Sequence, residues 1–305
     1  MRRSKVSGSI GIMAPKGSPR RADFVRASMA PAVETLVRAD LHLRLDDDAE
    51  WFHVARVATR KLRCELRVFG SLLETTWASE IQAGLKRLGG LLGAVRDADV
   101  LDERVRALAM RLPERDTGAT RVIAAYLRSA RKTACAVLQL QLSATWYLSL
   151  LRALVVAARD GAPLAVPNRR LRSNTVIAEA IGPAWKSLKK AVRRGRCGTD
   201  VVALHRIRIR AKRLRYISEA LGPFVPRRRQ RAYARFVRRI SRLQEFLGEL
   251  HDIYLDRNAL RAIPGVDPLV ADEIIELEAA VTAHAQHAWR ATWAKISSRR
   301  LHFWR

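Results

Sequence analysis

Acidic residues are scarce in this chain. Only 29 Asp and Glu stand against 57 Lys and Arg, which leaves a formal charge of +28 over 305 residues. A balance of this sign and size calls for a polyanionic partner, without choosing among DNA, RNA, a membrane surface and a free polyanion. Cysteine is nearly absent as well. The three present are Cys64, Cys135 and Cys197; they are far apart, odd in number and form no C-x-x-C, so a disulfide framework is excluded and buried or incidental thiols in a reducing compartment are expected. With 16 Gly and 11 Pro, the chain does not have the composition of a disordered or low-complexity protein. Alternating β-branched runs are nearly absent. No run approaches the roughly 18 apolar residues of a spanning helix, so no transmembrane segment is expected.

What is present favours helix. Forty-nine per cent of the residues are hydrophobic, and alanine, leucine and arginine dominate. Arginine far outnumbers lysine. Its planar fork suits bidentate phosphate recognition, so the bias points to phosphate.

The stretch His53 to Arg67, HVARVATRKLRCELR, organises the rest. On a helix at about 100° per residue, His53, Arg56, Arg60, Arg63 and Arg67 fall within an arc of roughly 80°. Trp51, Ala55, Ala58, Leu62, Leu66 and Phe69 fall opposite. One face is nearly pure cation and the other nearly pure hydrocarbon. Like charges one turn apart repel by a few tenths of a kcal/mol per pair, about the size of a helix ion pair reversed in sign. Water or a polyanion must offset that.

The stretch recurs as HRIRIRAKRLRYISE, His205 to Glu219. Aligned on the histidines, Arg56 matches Arg208, Arg60 matches Lys212 and Arg63 matches Arg215, while Arg67 has become Glu219. The second stripe is therefore shorter. A second pair follows in the same order: Leu92-Gly-Ala-Val-Arg-Asp97 resembles Leu247-Gly-Glu-Leu-His-Asp252. Two matched motifs at similar separation indicate an internal duplication. A merely solvated face has no reason to keep its cations in register.

The duplication sets the expected plan. Residues 1–22 read as a disordered basic tail, since their amphipathic pattern is too poor for a transit peptide. A first bundle of about four helices is expected over 23–160. It contains a helix over Phe24–Leu45, the stripe helix to about Leu73 with Asp46 to Asp48 as caps, a long helix to Leu112 stopped by Pro113, and a further stretch broken near Ser143. Gly89, Gly90 and Gly93 inside the long helix predict close approach of a neighbouring helix or ligand. Gly161 to Asn168 is the best linker, within 161–172. A second bundle, 173–305, repeats the plan, with Asp200 as a candidate cap.

These motifs together, HVARVATRKLR, LGAVRDADV, LHRIRIRAKRLRY, LQEFLGELHD and the terminal Phe303-Trp304, resemble the CHAD family, the conserved-histidine α-helical domains, over residues 24 to 305. The resemblance implies an all-α fold of two pseudo-symmetric antiparallel four-helix bundles, with the basic stripes facing a shared central channel. It also implies binding of inorganic polyphosphate, with sulfate or phosphate ions as the small anions the same channel would take, and a cytoplasmic place at polyphosphate granules. The family is generally read as a binding module and not an enzyme, with no cofactor, metal or membrane partner.

The candidate polyphosphate-binding residues are His53, Arg56, Arg60, Arg63, His205, Arg208, Lys212 and Arg215, with Arg67, Arg87, Arg96, Arg242 and His251 as a second tier. Asp97 and Asp252 beside them are expected to orient basic side chains by charged hydrogen bonds. His284 and His287, one turn apart, lack a supporting ligand and read as surface histidines. No GxxxxGK[ST] loop occurs, no Ser-His-Asp set can be argued, and no acid pair on the stripe helices suits Mg²⁺. Two alternatives remain. A nucleic-acid binder would use the same charges, although only Tyr216, at the edge of the second stripe, could stack a base. An enzyme acting on polyphosphate would lack an evident nucleophile or metal site.

Overall fold

Three helix starts in this chain, those at Ala49, Thr75 and Pro268, are set by carboxylates. A computed structural model describes residues 20–45, 48–109, 117–167, 172–195, 201–298 and 301–304. They form α1 (Arg21–Leu45), α2 (Ala49–Val68), α3 (Thr75–Ala109), α4 (Thr117–Leu142), α5 (Thr145–Arg159), α6 (Ser173–Arg194), α7 (Val201–Ala220), α8 (Gln230–Arg261) and α9 (Pro268–Ile296). Asp48 caps α2 by accepting the Glu50 amide at 2.9 Å. Asp267 caps α9 by accepting the Leu269 amide at 2.8 Å, with Pro268 at the first helical position. Glu74 does the same for α3, taking the Thr76 and Trp77 amides at 2.8 and 2.6 Å. Those backbone donors favour the ionised carboxylate and hold its pKa below the ordinary value. Asp46, Asp47, Asp200, Pro113, Cys197 and residues 1–19 of the expected basic tail lie outside the described residues.

The described chain is all-α, with one isolated antiparallel bridge between Leu73 and Leu164. One boundary differs from the periodic reading. Helix α2 stops at Val68, short of Leu73. The Phe69 amide closes on the Glu65 carbonyl at 2.9 Å, and a 3₁₀ turn over Gly70–Leu72 follows. The reason is the linker: the Ala165 amide donates to the Leu72 carbonyl and the Glu74 amide donates to the Pro163 carbonyl, both at 3.0 Å. Residues 163–165 are thereby pinned to the α2–α3 junction, because backbone groups leaving a helix need partners elsewhere. The break expected near Ser143 is real; α4 and α5 meet there at 67°.

Helices α1 to α5 pack around one another, as do α6 to α9, and α2 lies directly on α7. Burial of Phe52, Ala55, Ala58, Leu62 and Leu66 fixes the rotation of α2. One apolar core runs through both groups, from Phe24 and Leu36 of α1 to Phe236 and Ile240 of α8. Phe24 and Phe224 meet across the divide with ring centroids 4.0 Å apart. A smaller cluster joins the far ends, with Leu101, Val105, Ile123 and Leu127 against Leu260, Ile263, Ala271 and Ile274. The terminal Phe303 and Trp304 are buried on Phe236, and Arg229 donates to the Phe303 carbonyl at 3.0 Å. Among the described residues no single helix is long and apolar enough to cross a membrane.

Candidate anion site at the α2–α7 contact

Because the apolar face of α2 is buried, its cations point the other way. Arg56 crosses to α3, where its Nη1 donates to the Gly89 carbonyl at 3.4 Å and its Nη2 to Asp97 Oδ1 at 3.3 Å. Asp97 thus orients a basic side chain, as its position beside the motif predicts. The guanidinium occupies the space a β-carbon would need at Gly93. At Gly89 a β-carbon would lie 3.6 Å from Thr59 Cγ2 and 3.7 Å from Arg63 Nη1. Two of the three glycines therefore mark the close approach of α2, while Gly90 faces open space.

The cations press on one another. Partial burial, then the Arg96 guanidinium, hold the His53 imidazole below its ordinary value of 6.5; Arg60 and Arg56 add to this, and Glu50 opposes it. His53 still reaches solvent along its outer edge. Burial and the neighbouring Arg67 likewise lower the pKa of Arg63. His53, Arg56, Arg60 and Arg96 form one electrostatic group, with Arg96 supplied by α3.

The second stripe sits on α7, whose Ile207, Ala211 and Leu214 are buried. His205, Arg208, Lys212 and Arg215 are each half-buried. The two stripes meet at Tyr216. Its ring, only 3% exposed, carries the Arg215 guanidinium at 4.9 Å and, from the other half, that of Arg60 at 5.5 Å. The Cys64 thiol adds a weak contact across the same joint, donating to the Arg213 carbonyl at 3.9 Å. Burial pushes that thiol up to about 12, which leaves it inert.

Several donors are held back. The Nε atoms of Arg60 and Arg63 are buried and find no hydrogen-bond partner. Arg215 Nε lies 3.3 Å from Glu219 Oε1, yet the pair is not aligned as a hydrogen bond. An unsatisfied buried donor costs about 1–3 kcal/mol, and more when charged. An oxyanion seated between α2 and α7 would recover that cost. Glu219, standing where the first stripe has Arg67, lies against Arg215 and neutralises part of its charge.

The second-tier residues divide. Arg96 joins the His53 group and lies 4.0 Å from Glu103. Arg67 is exposed at the end of α2, its Nε donating to the Arg63 carbonyl at 3.0 Å. Arg87 turns the other way: it donates to Gln141 Oε1 at 2.6 Å and lies over the Trp146 ring at 4.3 Å. About 160° of helix separates it from Gly89, so it is not gathered with the stripe. Arg242 is exposed, 3.4 Å from Glu245 Oε2. The side chains of His251, Asp252, His284 and His287 lie outside the described residues. Tyr216 and Gly93 are parts of the site that charge spacing alone does not select. The glycine rule flagged the second, and nothing short of the α2–α7 contact reveals the first. Among the described residues no group of three His, Cys, Asp or Glu is placed to hold a metal ion.

Comparison with known proteins agrees with the all-α fold. The family model for the CHAD domain matches residues 27–261. The chain is 32% identical over 237 residues to the uncharacterized proteins MT2285 and Rv2226 of two Mycobacterium tuberculosis strains. That match covers 72% of this chain but 44% of either relative, so the chain spans less than half the length of the curated relatives it matches. Among solved structures, the CHAD domain of the plant Ricinus communis superposes with a TM-score of 0.70 at 23% identity, covering 95% of this chain and 94% of that one. PptA from Streptomyces chartreusis superposes with a TM-score of 0.69 at 18% identity, covering 92% of this chain and 99% of that one. At these identities the two structures speak to the fold alone.

Proposed function

This chain belongs to the CHAD domain family, and from that premise we propose that it binds inorganic polyphosphate between the stripes of α2 and α7 as a non-catalytic module. The observation that carries the reading is the meeting of the stripes at Tyr216, where Arg60 and Arg215 from different halves share one ring while buried Arg60 and Arg63 donors lack partners. A linear phosphate chain has an acceptor at every repeat. It can satisfy such donors in series and screen the repulsion between two cationic columns. His53, Arg56, Arg60, Arg63, Arg96, His205, Arg208, Lys212 and Arg215 form the proposed lining of a channel shared by two duplicated halves. Free phosphate or sulfate would take the same positions with fewer contacts. The corresponding place in the cell is the polyphosphate granule of the cytoplasm.

Two other readings use the same charges. A single-stranded nucleic acid would need exposed aromatic platforms. Tyr216 is enclosed and already covered by two guanidiniums, which favours a ligand without bases. An enzyme working on polyphosphate would need an activated nucleophile or a metal site; Asp97 and Glu219, the carboxylates set against stripe arginines, lie 3.3 Å from Arg56 and Arg215 respectively.

The deciding experiment is a competition assay. Labelled long-chain polyphosphate, bound to the full chain, is challenged with DNA, RNA, short polyphosphate and ATP at fixed ionic strength. Displacement by polyphosphate alone, with a steep log–log salt dependence from counterion release, is the expected result. Equal displacement by DNA would transfer the site to nucleic acid.

A further inference from the structure

The exterior of α8 carries a second column of arginines. Arg227, in the 3₁₀ turn over Arg227–Arg229, is followed by Arg231, Arg235, Arg238 and Arg242, and all five are exposed. At about 100° per residue, the four on the helix fall within roughly 60° of one another. From Arg231 to Arg242 the column is about 16 Å long. It lies about 140° around α8 from Gln244 and Gly248. Those two are the matched counterparts of Gly89 and Gly93, which face the first stripe. The buried face of α8, with Phe236, Ile240, Leu243 and Leu247, occupies the remaining side. This column therefore looks away from the α2–α7 contact.

Ordinary solvation does not account for it. Like charges at i, i+4 and i, i+3 destabilise a helix, and the column has little to offset them. Arg231 and Arg238 make no ion pair among the described residues, Arg235 Nε donates to the Arg231 carbonyl at 3.3 Å, and the nearest acid is Glu245 at the foot, 3.4 Å from Arg242. An arginine-rich composition would scatter such residues over both halves. In the register that matches Arg242 to Arg87, however, Arg231, Arg235 and Arg238 face Thr76, Glu80 and Ala83 in the first half. The column belongs to the second half alone and is no relic of duplication. Tyr233 and Phe236 lie on other faces, half-buried and buried, and Phe246, beside the foot of the column, is buried with the Arg242 guanidinium over its ring at 4.9 Å, so the column offers guanidinium forks without an open stacking platform. That chemistry fits a phosphate chain without bases.

We infer that the α8 column is a second polyphosphate-binding surface, separate from the α2–α7 site, and that the protein bridges phosphate chains. This rests on the proposed function for its ligand class. With two surfaces turned apart on one rigid core, each protein engages two chains, or two distant stretches of one, and many proteins link a long polymer into large assemblies.

The test mixes the full chain with long-chain polyphosphate and, separately, with a short chain unable to reach both surfaces. Light scattering reads assembly, and titration reads short-chain affinity. The variant is Arg231→Gln/Arg235→Gln/Arg238→Gln, whose exposed positions should leave the circular dichroism spectrum and melting temperature unchanged. Expected are loss of most of the scattering, a fall of about three in the long-chain salt slope, and short-chain affinity within about twofold of the parent, the variation expected of distant independent sites. Parent-like scattering and slope in the folded variant would overturn the proposal. So would a large loss of short-chain affinity, which would merge the column with the first site, or column-dependent capture of duplex DNA in preference to polyphosphate, which would make it a nucleic-acid surface. An Arg56→Gln/Arg60→Gln arm keeps the two readings apart. Added to the column variant, these two changes read the α2–α7 site alone: if short-chain binding survives in the combined variant, the α2–α7 site fails, while the column is still judged by its own variant.

Discussion

Arg56 of α2 lies across Gly93 of α3 with no space left for a β-carbon. The backbone gap and the guanidinium are one device: the glycine lets the cation lie flat against α3, where Asp97 and the Gly89 carbonyl hold it. Gly93→Ala should move the tip of a flexible side chain and not the helices. Stability should therefore hold or rise, since alanine is favoured over glycine in a helix interior by about 0.5–1 kcal/mol. Polyphosphate affinity should fall several-fold as Arg56 loses its seat. Thermal melts and titrations on the same preparation check both halves; unchanged affinity would remove Arg56 from the site.

A second prediction concerns pH. The His53 pKa is held below 6.5 by burial and by Arg96, Arg60 and Arg56. In the folded state it gives up its proton more readily than in the unfolded state. Its contribution to stability is thus complete above pH 6.5 and declines as pH falls from there toward the lowered folded value. A bound polyanion screens the same arginines and favours the imidazolium. Binding should take up a proton, and affinity should rise as pH falls from 7.5 toward 5.5. NMR titration of His53 with and without short-chain polyphosphate measures the shift. An unmoved or lowered pKa in the complex would show that phosphate does not lie beside His53.

The all-α class and the two-faced stripe helix were legible because each leaves a period in the chain. The apolar positions of α2 recur at helical spacing, and the histidine-to-aspartate distance is nearly repeated in the second half. What escaped depended on contacts between distant segments. The end of α2 at Val68 is decided by residues 163–165 docking beside it. Arg87 and Arg242 occupy matched positions, yet Trp146 and Gln141 draw Arg87 away, and no equivalent partner is encoded at matching sequence distance. Tyr216 read as an edge residue of one stripe, but packing of α2 on α7 makes it the floor beneath both.

Packing also hides a charge. Glu65, next to Cys64 on α2, has no exposed surface, and neither of its carboxylate oxygens is hydrogen-bonded. Burial pushes its pKa up to about 8; nearby Lys61 and the Ser28 hydroxyl work against this, and Glu219 adds to it. The folded state therefore keeps a proton that the unfolded chain releases near pH 4.5. Stability from this group is complete below pH 4.5 and is lost progressively up to about pH 8. Glu65→Gln removes the titration. At pH 7 the variant should be more stable by at least about 1 kcal/mol, with little difference at pH 4. Denaturant unfolding of both proteins across that range checks it. A variant less stable than the parent at pH 7 would show that ionised Glu65 is compensated by Lys61.

The last prediction asks whether the two stripes serve one ligand. Arg60 and Arg215 come from different halves and share the Tyr216 ring, so the cationic columns converge instead of facing water on opposite sides. Bringing like charges together raises the energy of the unliganded protein. A polyanion that binds the folded state preferentially should raise its melting temperature, and more so at low salt. Three variants separate one site from two: Arg56→Ala/Arg60→Ala in the first stripe, Arg208→Ala/Lys212→Ala in the second, and their combination. All four side chains lie off the apolar faces of α2 and α7, so the fold should survive. With one shared channel, either pair alone weakens short-chain binding by well over 1 kcal/mol, because hydrogen bonds to charged groups contribute roughly 1.5–3 kcal/mol each. Stoichiometry at the channel stays at one chain per protein until affinity is lost. With two independent sites, each single-stripe variant would keep half the bound chains at unchanged affinity, and that titration would refute the shared channel.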